Sequence, residues 1–351
     1  MTCQLLSPSR TVLSGSYYEI GLQMGARLTS LEIPEVDPET LAMAARCEAI
    51  LSERYPFIVD KVEGMIDGGQ LDGRNFKALF YLGDSSSQVG CTNLAVLPSH
   101  TKDGGLLVGV NYDWYYAAKA WRELREVAPG GAYRSLRATH HWAGSPDGLN
   151  EEGLGIFLSV LPHRDPCAVG LAWHLITDLV LDNCRDVGEA WDLITSVPHL
   201  AAFNYLLADA QGQAALAEAL PDGVVCREAS EGFLLATNHL PGREEDETTL
   251  SPAHARRQRK SLARYGRVTE LLQLADRQVD QETLEAVLRD HQAPVCRGNH
   301  DPLPEDTSFD NVFGTIWSLV VKPGKGQMFL AWGHPCRTDY CKQELGQAEA
   351  A

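Results

Sequence analysis

The chain has 351 residues, 44% of them hydrophobic, which supplies enough apolar side chain for a sizeable core in one large soluble domain or two ordinary ones. Its 30 Lys and Arg residues against 47 Asp and Glu residues give a formal charge of -17, which repels phosphate backbones and anionic lipid at long range. Neither nucleic acid nor a membrane is an expected partner.

In chain order, the opening stretch MTCQLLSPSRTVLSG lacks the charged start and unbroken apolar run of a secretory signal, and no later stretch has the length of a membrane span. A cytoplasmic location is therefore expected. Residues 15–82 read as a mostly helical section: Tyr18, Ile20, Gly21, Met24, Gly25 and Leu28 open one helix, and Pro38 and Pro56 each start another. Asp84 to Gly90 is a small polar linker, and beyond it the pattern turns strand-like. A hairpin is predicted from Ala95-Val96-Leu97 to Leu106–Val110 around the Lys102-Asp103-Gly104-Gly105 turn. A strand over Leu154–Leu161 precedes helical patterning from Gly170 to Val197; a second hairpin, 205–208 with 214–218, and a strand over Phe233–Ala236 follow. Helices are predicted at 252–274 and 280–290, then a closing hairpin, Thr315–Val321 with Gln327–Trp332. Strand runs separated by helix runs indicate an α+β fold in which helices cover stacked antiparallel sheets.

The basic run from His254 to Arg267, with Arg256, Arg257, Arg259, Lys260, Arg264 and Arg267, reads as a solvated helix face. Nine thinly scattered cysteines read as free thiols, most of them small buried hydrophobes. Cys336 and Cys341 lack the second pair a zinc site needs, and His140, His141, His163 and His174 lack ligand spacing. No metal and no cofactor is expected.

Gly90-Cys91-Thr92 joins the serine-rich linker to the first hairpin, and alone it reads as a buried structural cysteine. Polar signatures at predicted strand ends and turns change that reading: Asn111-Tyr112-Asp113-Trp114, Asn150-Glu151-Glu152-Gly153-Leu154, Thr237-Asn238-His239, Cys296-Arg297 and Thr315-Ile316-Trp317-Ser318. Together with Tyr18-Glu19-Ile20-Gly21, Asp209-Ala210-Gln211-Gly212 and Gly333-His334-Pro335, in this order over nearly the whole chain, the set resembles the peptidase C45 family. That family is the group of N-terminal-nucleophile hydrolases related to the acyl-coenzyme A:6-aminopenicillanic acid acyltransferase. The resemblance implies a four-layer αββα fold with a helical N-terminal section, self-cleavage between Gly90 and Cys91, and action on an amide or thioester. Fragments 1–90 and 91–351 would stay associated, with Cys91 leading the catalytic one.

By match to the family motif, Asp113 orients the cysteine's amine, Asn238 donates to the oxyanion and Arg297 stabilises charge near the thiolate. Each also has a plainer reading: a turn-capping Asp, a loop Asn bonding its own backbone, and a surface salt bridge. Asn111, Trp114 and Asn150 are weaker candidates for shaping the site.

The chemistry explains the need for self-cleavage. A thiol of pKa about 8.5 is mostly protonated at neutral pH, and the α-amine freed at Cys91, of pKa about 7.7–8.0, is a base tied to it. No catalytic histidine is then required. Gly90 would let the backbone adopt the geometry that thiol attack on its own carbonyl demands. The expected reaction is hydrolysis of a C–N amide bond of a small N-acyl compound through an acyl-cysteine. The alternatives are acyl transfer from a thioester or amide to an amine acceptor, and an inactive binding or assembly module. Expected partners are the small acyl substrate and the chain's own two fragments; a homo-oligomer is compatible with both.

Overall fold

The computed structural model describes residues 10–29, 31–83, 90–162, 169–229, 231–246, 249–298 and 313–346. It opens on a strand, β1 (Arg10–Gly15), that the helical reading of this section did not include. Helix α1 (Tyr17–Gly25) begins at a capping box in which Ser16 accepts from the Glu19 amide and Glu19 reaches back to Ser16. Asp37 caps α2 (Pro38–Arg54), Pro56 starts α3 (Pro56–Gly69), and Asp72 caps α4 (Gly73–Leu82). Helices α1 and α3 meet backbone to backbone. A Cβ added at Gly21 would stand 2.1 Å from the Lys61 carbonyl, and one at Gly64 2.1 Å from that of Tyr18, so only glycine permits this contact. Of the expected linker, only Gly90 is among the described residues.

The β elements then follow: β2 (Gly90–Val96), β3 (Leu107–Tyr115), β4 (Glu123–Pro129), β5 (Ser135–Thr139), β6 (Asp147–Asn150) and β7 (Gly155–Val160). The helical patterning at 170–197 resolves into α5 (Trp173–Asn183) and α6 (Val187–Ser196), divided where Asp186 caps the second. Strands β8 (Phe203–Ala208), β9 (Ala214–Leu220), β10 (Gly223–Arg227) and β11 (Phe233–Ala236) precede α7 (Pro252–Leu274) and α8 (Gln281–Leu288). The chain closes on β12 (Phe313–Lys322), β13 (Gln327–Ala331) and β14 (Cys341–Gln343).

The strands form an eight-stranded sheet, ordered β1-β4-β5-β6-β7-β8-β9-β10, and a six-stranded sheet, ordered β11-β2-β3-β12-β13-β14. Three apolar cores alternate with them. One joins α1–α6 to the large sheet, one lies between the sheets, and one joins the small sheet to α7 and α8. This is the expected α+β fold with αββα layering.

The parts on either side of Gly90 share structure throughout. Ile20, Leu51, Ile58, Met65 and Phe80 are buried in the same core as Ile156, Ile176, Leu179 and Tyr205, and β1 completes the large sheet by pairing in parallel with β4. A buried ionic cluster crosses the same boundary. Lys61 Nζ donates to Asp178 Oδ2 at 2.6 Å, Arg137 bonds both Asp178 and Asp182, and the Tyr17 hydroxyl donates to Asp182 at 3.1 Å.

Among the described residues, Cys341 departs from the free-thiol expectation: it is disulfide-bonded. Among the described residues no helix is long and apolar enough to cross a membrane.

Candidate active site

The register of β2 on β3 sets Gly90 opposite Asp113 and Cys91 opposite Tyr112. Opposed residues share a sheet face and successive residues alternate. Cys91 and Tyr112 therefore turn into the core between the sheets, while Asp113 turns to the α7–α8 side. Thiol and carboxylate approach the Gly90–Cys91 peptide from opposite faces of the small sheet.

Gly90 is closely packed: a Cβ there would lie 1.8 Å from Arg297 Nη1 and 3.2 Å from Asp113 Oδ2, so any larger residue would displace the guanidinium from the carboxylate.

Asp113 is wholly buried. Its Oδ1 accepts from the Thr315 hydroxyl at 2.7 Å, and Arg297 Nη1 stands 3.5 Å from Oδ2, an ion-pair distance. Thr315 also accepts from the Arg297 amide at 3.0 Å, and the Arg297 guanidinium lies over the Phe313 ring at 4.7 Å. Burial pushes the Asp113 carboxyl up to about 6, against the pull of Arg297 and Arg264.

That shift carries a prediction for Asp113→Asn. A carboxyl raised from its ordinary 3.8 to about 6 binds its proton better folded than unfolded. Its stabilising contribution is complete below about pH 3.8 and is lost as pH rises through about 6, about 3 kcal/mol at roughly 1.36 kcal/mol per unit. The amide has no proton to lose. The variant should slow maturation or turnover strongly, yet melt higher than wild type at neutral pH, with the gap closing towards pH 4. Melting curves that stay parallel across this range would remove Asp113 as the source.

Asn238 reaches Cys91 through the β11–β2 register: Ala236 opposes Asn93, and two residues further Asn238 comes opposite Cys91. Its Oδ1 accepts from the Cys91 amide at 2.9 Å and from Arg264 Nη2 at 2.7 Å. Its Nδ2 donates to the Val160 carbonyl at 3.0 Å, which leaves one amide hydrogen for a further acceptor. The Ser261 hydroxyl accepts from the Asn238 backbone at 2.7 Å and fixes the strand end against α7.

Arg264 is the residue the sequence reading missed. It is 1% exposed, not on a solvated face, and Nη2 lies 3.4 Å from the Cys91 carbonyl. Burial, then the nearby Arg297, pull its guanidinium down to about 10, still charged at neutral pH. A signal was present: Ser261, Arg264, Val268 and Leu272 form the buried stripe of α7, spaced three and four apart, whereas Arg256 and Arg259 are exposed. Asp147 was also missed. Burial pushes its carboxyl up to about 7, Trp317 Nε1 donates to it at 2.8 Å, and the Trp317 ring stacks on Tyr112 at 4.1 Å.

Cys91 is 1% exposed, and burial, then the Asp113 charge, push its thiol well above the ordinary value, against the Asp113 amide and Arg264. With the Gly90–Cys91 peptide intact, the sulfur is a protonated thiol. The remaining candidates divide. Asn111 Nδ2 donates to the carbonyls of Leu288 and Val295, each at 2.9 Å, and so holds the loop that carries Arg297. Trp114 packs on His140, ring centroids 5.1 Å apart. Asn150 lies outside the site. Its amide is bonded to Leu181 and Cys184 carbonyls and to the Glu152 and Leu154 amides, as a turn residue's would be.

A cavity of about 460 Å³ opens beside this region, walled by Met24 and Leu28 of the N-terminal section together with Trp121, Arg122, His140 and Trp142. It connects to the nucleophile strand through His140, whose Nε2 is 3.1 Å from the hydroxyl of Tyr112, the cross-strand partner of Cys91.

Comparison with known proteins adds the following. The family model described as acyl-coenzyme A:6-aminopenicillanic acid acyl-transferase matches residues 99–337, a span that starts just after Cys91. No curated protein matches the chain. Similar solved structures include a penicillin V acylase from Agrobacterium tumefaciens (16% identity, TM-score 0.49, covering 73% of this chain and 87% of that one). A Caenorhabditis elegans ortholog of N-acylethanolamine-hydrolyzing acid amidase is 16% identical, with TM-score 0.46 over 67% of this chain and 93% of that one. A variant of the conjugated bile acid hydrolase from Clostridium perfringens is 14% identical, with TM-score 0.48 over 74% and 99%.

Proposed function

Since the chain belongs to the acyl-coenzyme A:6-aminopenicillanic acid acyl-transferase family, we propose that it is a cysteine N-terminal-nucleophile enzyme that cuts itself at Gly90–Cys91 and then cleaves the C–N amide bond of a small N-acyl compound. The observation that carries this reading is the convergence on two adjacent residues: Asn238 on the Cys91 nitrogen, Arg264 on the Cys91 carbonyl, and Asp113 with Arg297 against Gly90. In maturation the Cys91 sulfur attacks the Gly90 carbonyl, the C–N bond breaks, and the thiol proton passes to the departing nitrogen. Water then opens the thioester to a Gly90 carboxylate and restores the thiol.

The nitrogen that results is an α-amine held by Asn238 Oδ1. It takes the thiol proton as the sulfur attacks a substrate carbonyl and returns it to the leaving amine. The remaining Asn238 amide hydrogen is the donor assigned to the oxyanion, with Arg264 holding the asparagine in place. The cavity has the size for an acyl group, and Met24, Leu28 and Trp142 offer it an apolar wall facing Arg27, Arg122, Glu123 and Arg125. The family's own description favours a second outcome for the same intermediate, capture of the acyl group by an amine acceptor.

Asn238→Ala tests the assignment. Loss of one oxyanion donor costs about 2.7–4 kcal/mol, so kcat should fall roughly a hundredfold to a thousandfold with little change in KM. The substrates to screen are N-acyl amino acids, β-lactam derivatives and acyl-coenzyme A esters, with and without an added amine. A variant with lower melting temperature but normal kcat would make Asn238 a turn residue only.

A further inference from the structure

A second set of reactive side chains converges on two loops that flank the Arg297 region. His291 and Cys296 lie between α8 and Arg297, and Cys336 lies between β13 and β14. One ligand atom from each falls within 4.8 Å of the other two. The two sulfurs are 3.6 Å apart, far beyond the roughly 2.05 Å of a disulfide. That spacing matches the separation of about 3.8 Å that tetrahedral geometry gives two sulfurs each about 2.3 Å from zinc. The loops are already held in place: Arg289 Nε donates to the Pro335 carbonyl at 2.8 Å, the Cys296 amide to Asp290 at 3.0 Å, and Asn111 to Val295 at 2.9 Å. His291 is exposed, which gives an ion a route in from solvent.

We propose that His291, Cys296 and Cys336 bind a divalent ion of the zinc class, clasping the loop that carries Arg297 to the turn after β13. Imidazole and thiolate are the ligands such ions prefer, and three protein ligands leave the fourth position to water. On binding, each thiol gives its proton to solvent as a sulfur–metal bond forms. The expectation of no metal rested on Cys336 with Cys341, whereas the partner sulfur comes from a position 40 residues away in sequence. The clasp is independent of the Cys91 chemistry, so it stands or falls separately.

Cobalt(II) titrated into the full chain is the probe. Wild type should take up about one equivalent and show thiolate charge-transfer and tetrahedral d–d bands that zinc abolishes. His291→Ala, at an exposed position, and Cys336→Ser should each lose these bands. Cys226→Ser, at an exposed thiol, and Cys91→Ala should keep them. The proposal is overturned if wild type takes up no cobalt, if the bands survive in His291→Ala and Cys336→Ser, or if they vanish in Cys91→Ala. A chain two hydrogens lighter than the Cys341 disulfide alone accounts for, and that excludes cobalt, would likewise overturn it and make the pair a disulfide.

Discussion

Cys91→Ala is expected to leave the chain in one piece and without turnover, because a single sulfur is assigned both the attack on Gly90 and the attack on substrate. When a nucleophile that works as a unit with its base is lost, the fall is on the order of 10⁴-fold or more. Cys91→Ser separates the two tasks. An alkoxide is harder to form than a thiolate, so the serine chain should process slowly through an ester and lose most turnover. The fold should be unaffected by either change, since Cys91 is one small side chain in the core between the sheets. Denaturing gels over time, with circular dichroism on the same samples, read all three properties. An alanine chain that matures at the same boundary would transfer the cut to another protease.

Lys61→Met should be strongly destabilising. Lys61, Arg137, Asp178 and Asp182 are two cations and two anions, with side chains 3–5% exposed. Burial opposes ionisation of Asp178, yet Lys61 and Arg137 together hold its carboxyl below the usual range. Removing Lys61 leaves one buried negative charge without its partner, which costs about 3–5 kcal/mol, whereas replacing both members of such a pair by apolar residues is often neutral. The urea midpoint should therefore fall sharply in Lys61→Met and recover largely in Lys61→Met with Asp178→Leu. Since Lys61 lies before Gly90 and Asp178 after it, the single variant should also shed the 1–90 fragment more readily once the chain is cut. Equal losses in the single and double variants would show that packing, not charge, holds the two parts together.

Much of the fold could be read where local chemistry and tertiary demand agree. The hairpins around Lys102–Gly105 and Lys322–Gly326 have apolar strands and glycine turns, and they form β2–β3 and β12–β13 as expected. Strand β4 was illegible because its sequence, ELREVAP, buries Glu123 and Arg125 as an ion pair where an apolar alternation is the usual cue. Strand β1 was missed because its partner, β4, lies more than a hundred residues away. The site was legible as residue types but not as contacts. Family resemblance picked out Asp113, Asn238 and Arg297, which converge on Gly90–Cys91. Arg264 was hidden among six basic residues of one run until α7 packed its stripe against β2.

The most direct test of the central claim is the intact mass of the freshly purified wild-type protein under reducing, denaturing conditions. Two species are expected, at the masses of 1–90 and 91–351, summing to the full chain plus one water, with Cys91 as the N-terminal residue of the larger. A single species at full-chain mass in protein that turns over an N-acyl substrate would contradict the account, because an acylated Cys91 nitrogen cannot act as the base.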